Sequence, residues 1–173
     1  MGSSRGFSLV ELLIVVAIIL VIAAIAIPNL LQSRMAADES SAAGSIHTLT
    51  SAEITYFNAY PTIGYAAAIG QLGGATPCTP SSTTACIIDN FLATATPGGT
   101  GKSGYYYQAT GVVTGGATYN DAYVIGAAPI TVHSTGNRDF CSTNDGVLRS
   151  QMGAVGDLPV TVTANCLTFA VAQ

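Results

Sequence analysis

Four cysteines, two histidines and a few acids are the side chains of this 173-residue chain best equipped for chemistry. Cys78, Cys86, Cys141 and Cys166 contain no C-x-x-C spacing of the kind that gathers zinc, so a metal is not the reading of the set. An even count beyond an apolar N-terminal run points instead to two disulfides formed outside the cytoplasm. Three pairings are possible. The preferred one joins Cys78 to Cys86, which bracket a polar turn, and Cys141 to Cys166, where a bridge ties the last strand to a preceding loop. On a chain-entropy model the two closures contribute ~2.5 and ~3.5 kcal/mol, the longer loop more.

The remaining candidates are weaker. His47 and His133 stand too far apart in sequence to suggest a metal motif, and each reads as a helix-surface or strand residue. Residues 98–104, GGTGKSG, lack the G-x-x-x-x-G-K-[ST] spacing of a phosphate-binding loop and read as a turn. Asp139, Asn144 and Asp145 carry oxygen donors of the type calcium takes. The full calcium-loop pattern is missing, and Asn-Asp-Gly at 144–146 is turn chemistry. No nucleophile, acid and base are spaced as a catalytic set, so the expectation is a chain that is not an enzyme and needs no cofactor. The net charge is −4, and the five basic residues Arg5, Arg34, Lys102, Arg138 and Arg149 are scattered, which excludes a basic footprint for nucleic acid.

One acid stands out by its surroundings. Glu11 is the only charge in residues 7–27, FSLVELLIVVAIILVIAAIAI, a run long enough to cross a bilayer as a helix. Three readings of this run compete. A cleaved secretory signal fits Arg5, the apolar core and the small-x-small residues Ala24-Ile25-Ala26. A permanent anchor fits the length. Neither explains Glu11, because a carboxylate in hydrocarbon costs about 2.5–3.5 kcal/mol near the centre and marks a functional site whose partner must be named.

The elements around these residues follow from periodicity. Pro28 removes a backbone donor and should kink or locally break the helix. Beyond it, apolar residues at Leu31, Met35, Ala42, Ile46, Leu49 and Phe57 continue a helical face up to about Tyr60, where Pro61 ends it. Such a helix approaches ~80 Å at 1.5 Å per residue, with Gly44 as a weak point. Residues 61–104 read as a connecting loop region. Strands are expected at 105–110, 123–127, 129–133, 146–149 and 159–170, forming an antiparallel sheet. The fold class is therefore α+β, a long N-terminal helix packed on a small antiparallel sheet.

Arg5-Gly6-Phe7-Ser8-Leu9-Val10-Glu11-Leu12-Leu13 resembles the type IV prepilin cleavage motif. The resemblance implies that a membrane prepilin peptidase, also an N-methyltransferase, cuts between Gly6 and Phe7 and methylates the new Phe7 amine. It also supplies the missing partner of Glu11, the N-terminal amine, which the acid is held to neutralise during assembly. A glycine at 6 suits a narrow protease cleft, having no side chain to exclude. The implied organisation is a leader at 1–6, a membrane-spanning assembly half at 7–27, an amphipathic half at 28–60, and a globular domain at 61–173 whose sheet and C-terminal disulfide segment occupy 105–173.

The function implied is that of a pilin: a single-pass inner-membrane precursor, its C-terminal domain outside the cytoplasm, that polymerises with copies of itself into an extracellular filament. Assembly ATPases and platform proteins of the inner membrane are implied as indirect partners. A pseudopilin of a type II secretion system, in a periplasmic filament, shares the same N-terminus. A membrane-anchored extracellular binding module is the alternative from a different class.

Overall fold

The computed structural model describes residues 7–172. Gly6, the leader and therefore the Gly6–Phe7 bond lie outside the described residues. The chain divides into two compact units at Arg34, and each is described by itself.

Helix α1, Leu9–Ala59, is assigned as helix through Pro28 and crosses the division. From Leu9 to Ile27 it is apolar on every side, Glu11 excepted, and exposed at nearly every residue. In the second unit Ala42, Ser45, Ile46, Leu49, Ala52, Glu53 and Tyr56 are buried, recurring every three or four residues as one face of a helix must. Leu31 is exposed and Phe57 only half buried, so the buried face runs through Tyr56 rather than the expected Phe57. Glu53 is the buried charged side chain on this face, which the apolar pattern does not reveal.

Two single-turn helices, α2 (Ile69–Leu72) and α3 (Asn90–Ala93), punctuate the connecting region. Asp89 caps α3, its carboxylate accepting the Leu92 N–H at 2.8 Å. The Cys78–Cys86 disulfide closes the intervening loop, with Cα atoms 6.1 Å apart. Residues 98–104 form the turn into the sheet. Lys102 donates to Ser45 Oγ at 2.9 Å, and Ser41 and Ser103 hydrogen-bond at 2.9 Å, so this Gly-rich loop is spent on fastening itself to α1.

The sheet is antiparallel with order β1-β2-β3-β4-β5. Its strands are β1 (Tyr105–Val112), β2 (Ala122–Pro129), β3 (Arg138–Thr143), β4 (Arg149–Met152) and β5 (Ala170–Val171). One face packs on α1: Tyr105, Tyr107, Ala109, Tyr123, Ile125, Ala127 and Phe140 share a core with Ile46, Leu49 and Tyr56. The opposite face carries Val124 and Cys141, covered by Cys166 and Phe169. Alternation along β2 and β3 produces these two apolar faces, as expected of a sheet covered on both sides.

Three strand expectations need correction. Residues 130–133 are not strand; they turn through a loop in which His133 takes a positive φ of 66° and hydrogen-bonds Asn137 at 2.8 Å. The third strand is instead β3, and the fourth begins at Arg149 rather than ending there. Residues 159–170 are not one strand. They form a cover over the sheet with a short helix α4 (Thr163–Cys166), and only Ala170–Val171 pair with β4. The Cys141–Cys166 disulfide, Cα atoms 5.8 Å apart, therefore joins β3 to α4 rather than a loop to the last strand.

Gly126, in the middle of β2, is where the cover touches the sheet. A Cβ built there would stand 2.3 Å from Val160 N and 2.5 Å from Val160 O, both backbone atoms that cannot swing aside. Gly126→Val is expected to destabilise the domain by about 2–3 kcal/mol, as overpacking does, in denaturant unfolding. Gly44→Ala is the control of opposite sign. Nothing lies within 4 Å of its Cβ position, and a helical alanine should add about 0.5–1 kcal/mol.

Candidate functional site

The residues singled out by chemistry lie in different places. Asp145 is fully engaged: Arg149 donates to its Oδ1 at 3.2 Å and its Oδ2 at 2.5 Å, and Thr143 Oγ1 and the Val147 N–H also reach Oδ1. These contacts, the Arg149 hydrogen bond above all, hold its carboxyl well below the usual carboxylate range. Asp139 points from β3 into the covered face of the sheet, apart from the role Asp145 plays in its own turn. Among the described residues, no three His, Cys, Asp or Glu side chains are gathered in a metal-binding arrangement. His47 is exposed on α1.

The N-terminal half of α1 is different in kind. Leu9, Val10, Leu12, Leu13, Ile14, Val15, Val16, Ile18, Ile19 and Leu20 are all about half exposed or more, and none of the most apolar window is buried within the chain. Leaving one Leu, Ile or Val side chain in water forfeits about 1.5–3 kcal/mol. Repeated over this segment, the cost is on the order of tens of kcal/mol. A helix apolar all round is stable only inside lipid or inside other protein. This one is long and apolar enough to cross a membrane.

Its first turn carries the acid. Ser8 precedes the helix and Glu11 sits three residues on, and the Ser8 N–H donates to Glu11 Oε2 at 3.2 Å. This is half of a capping box, in which the third helical residue reaches back to an N–H that the helix itself cannot satisfy. An acid here also complements the positive end of the helix dipole. Ser-x-x-Glu before an apolar run was the signal that could have located the helix start at Leu9. The cap fixes Glu11 at the end of the apolar segment, one turn from Phe7, which is itself exposed.

Comparison with known proteins finds a family match in this same segment. Residues 1–27 match the prokaryotic N-terminal methylation motif. The type IV major pilin protein PilA of Myxococcus xanthus is 44% identical over 55 residues, 32% of this chain and 25% of that relative. The segment that carries the motif is similar to type IV pilins. The type IV wide pilus major component PilA4 of Thermus thermophilus is 52% identical over 40 residues, 23% of this chain and 30% of that relative. The chain thus spans less than a third of the length of either curated pilin. No solved structure matches it. The matched residues run into helix α1, Leu9–Ala59.

Proposed function

We propose that this chain is a structural subunit that polymerises through α1 into a type IV pilus-like filament. The observation that carries the reading is an apolar helical segment left exposed among the described residues, bearing one acid in its first turn and matching the methylation motif. Before assembly the segment resides in the inner membrane as a single-pass anchor. Cleavage between Gly6 and Phe7 then frees an amine, and the peptidase methylates it. Addition to the filament replaces lipid with neighbouring copies of the same helix. Because each copy offers the same two unlike surfaces to the next, the symmetry is an open helical fibre rather than a closed ring. Both relatives are major pilus components, which favours a pilus over a secretion pseudopilus.

The filament grows only if motor ATPases and a platform protein of the inner membrane drive it. Residues 28–60 contribute the amphipathic half of the helix, and residues 61–173 the domain displayed to solvent.

Mass spectrometry of sheared surface material tests the reading. The expected N-terminal peptide begins at methylated Phe7. A chain that begins after Ala26 would mean an ordinary secreted protein. One that keeps Met1 and stays with the membrane would mean an anchored module, and either result sinks the proposal.

A further inference from the structure

The apolar half of α1 is exposed all round, yet its surface is not uniform. Between Leu9 and Ile22 every side chain but Glu11 is large and apolar, with the single exception of Ala17. At ~100° per residue, Leu13, Ala17 and Val21 form one row along the helix, and Ile14, Ile18 and Ile22 form the row beside it. The furrow between the rows widens at Ala17, where a methyl stands in place of a branched side chain. It makes a groove of about 340 Å³ lined by those six residues.

The other side of the same helix has the converse shape. Leu12, Val16 and Ile19, spaced four and three apart, lie within about 30° of the direction opposite the groove, and all three stand exposed. A helix with a groove on one side and a ridge on the other is complementary to a copy of itself. Setting the ridge of one copy into the groove of the next leaves a groove and a ridge free at the two ends, so the contact repeats without closing. A row of residues three apart, such as Val16 and Ile19, set into a furrow between rows four apart crosses it at about 20°. Neighbouring helices then stay near parallel, the arrangement open to copies that all leave one membrane in one orientation.

Lipid can cover the groove as well, but lipid does not use its shape. Acyl chains are as apolar as leucine, so what a second helix gains over lipid is close packing, and that gain is largest where a small residue lets the helices approach.

We propose that the groove at Ala17 receives the ridge of Leu12, Val16 and Ile19 from a second copy of this chain, and that this contact sets how neighbouring α1 helices pack in the fibre. The inference rests on the filament reading above and adds to it which faces of the helix meet.

Filament yield and crosslinking of the full chain, expressed in cells, test it. Ala17→Leu fills the groove with a side chain that suits the membrane, so insertion and the appearance of methylated Phe7 in the membrane fraction should be unchanged. Sheared fibres should fall by about tenfold or more, as overpacking at a contact repeated in every subunit requires. Ala17→Ser, close to alanine in size, should keep near-native yield. Native fibres together with equally abundant Ala17→Leu fibres overturn the groove contact and leave the filament reading standing. Absence of native fibres carrying methylated Phe7 overturns both. Crosslinking decides the case should leucine impair processing. Ala17→Cys combined with Leu12→Cys, Val16→Cys or Ile19→Cys should give disulfide-linked ladders in oxidised fibres for at least one pair, and Ala17→Cys alone should give none. Fibres with no ladder from any pair, or dimers from Ala17→Cys alone, overturn the proposal, the latter because groove would then meet groove.

Discussion

Replacing Glu11 by leucine is expected to remove surface filaments while leaving membrane insertion and processing intact. In the proposed filament the Phe7 amine is surrounded by apolar helices, and Glu11 is the acid one turn away that neutralises it. Leucine suits the apolar run and favours insertion, so the precursor should accumulate and be cut normally. Assembly is where the loss falls. Removing one partner of a buried ion pair costs about 3–5 kcal/mol, which lowers the equilibrium for adding a subunit by roughly 100-fold or more. Glu11 also caps its own helix through Ser8, but a lost cap costs only about 1 kcal/mol and cannot account for so large an effect. Glu11→Gln separates the two roles, because glutamine still accepts the Ser8 N–H and carries no charge. Sheared filament yield should be near zero in both variants. Filaments restored by glutamine would mean that Glu11 acts as a cap alone and would sink the charge argument.

The helix was legible in the sequence because its two halves speak in different patterns: an unbroken apolar run, then a repeat every three or four residues. The sheet was less so. β3 begins with Arg138-Asp139 and has buried residues on both faces, so it shows no alternation to read. Residues 129–133 do look like a strand, yet the chain needs a turn there to bring β3 beside β2, and His133 accepts the left-handed backbone. The alternating residues 159–162 mimic a strand as well. Their partner is the face of the sheet rather than its edge, a relation set by the disulfide and by Gly126, which sequence periodicity does not report. At the candidate site, the acid in the apolar run was readable from its anomaly alone. The acids in the domain were not, since Glu53 and Asp139 owe their burial to segments far from them along the chain.

Glu53 gives the second large effect. It stands on the buried face of α1 between Leu49 and Tyr56, with no exposed surface. Its Oε2 accepts the Ala66 N–H at 2.9 Å, which pins the connecting region to the helix, while Oε1 has no hydrogen-bond partner. Burial pushes this carboxyl from 4.5 up to about 8, with the Ala66 hydrogen bond opposing. Below pH 4.5 the acid is protonated in both folded and unfolded chains and is neutral toward stability. Between 4.5 and about 8 only the folded chain holds the proton, so stability falls by up to about 1.4 kcal/mol for each pH unit. Above about 8 both states are ionised and the slope ends. Glu53→Gln keeps an oxygen for the Ala66 N–H and removes the titration. Relative to the native chain it should be similar in stability near pH 4.5 and more stable by on the order of 3 kcal/mol at pH 7, measured by denaturant unfolding in micelles. Asp139, whose carboxyl burial pushes up to about 7, is present in both chains, so its own pH dependence cancels in the difference. A difference that stays constant from pH 4.5 to 8 would mean that Glu53 ionises normally in the fold, with water or a rearranged side chain reaching the oxygen that now stands alone.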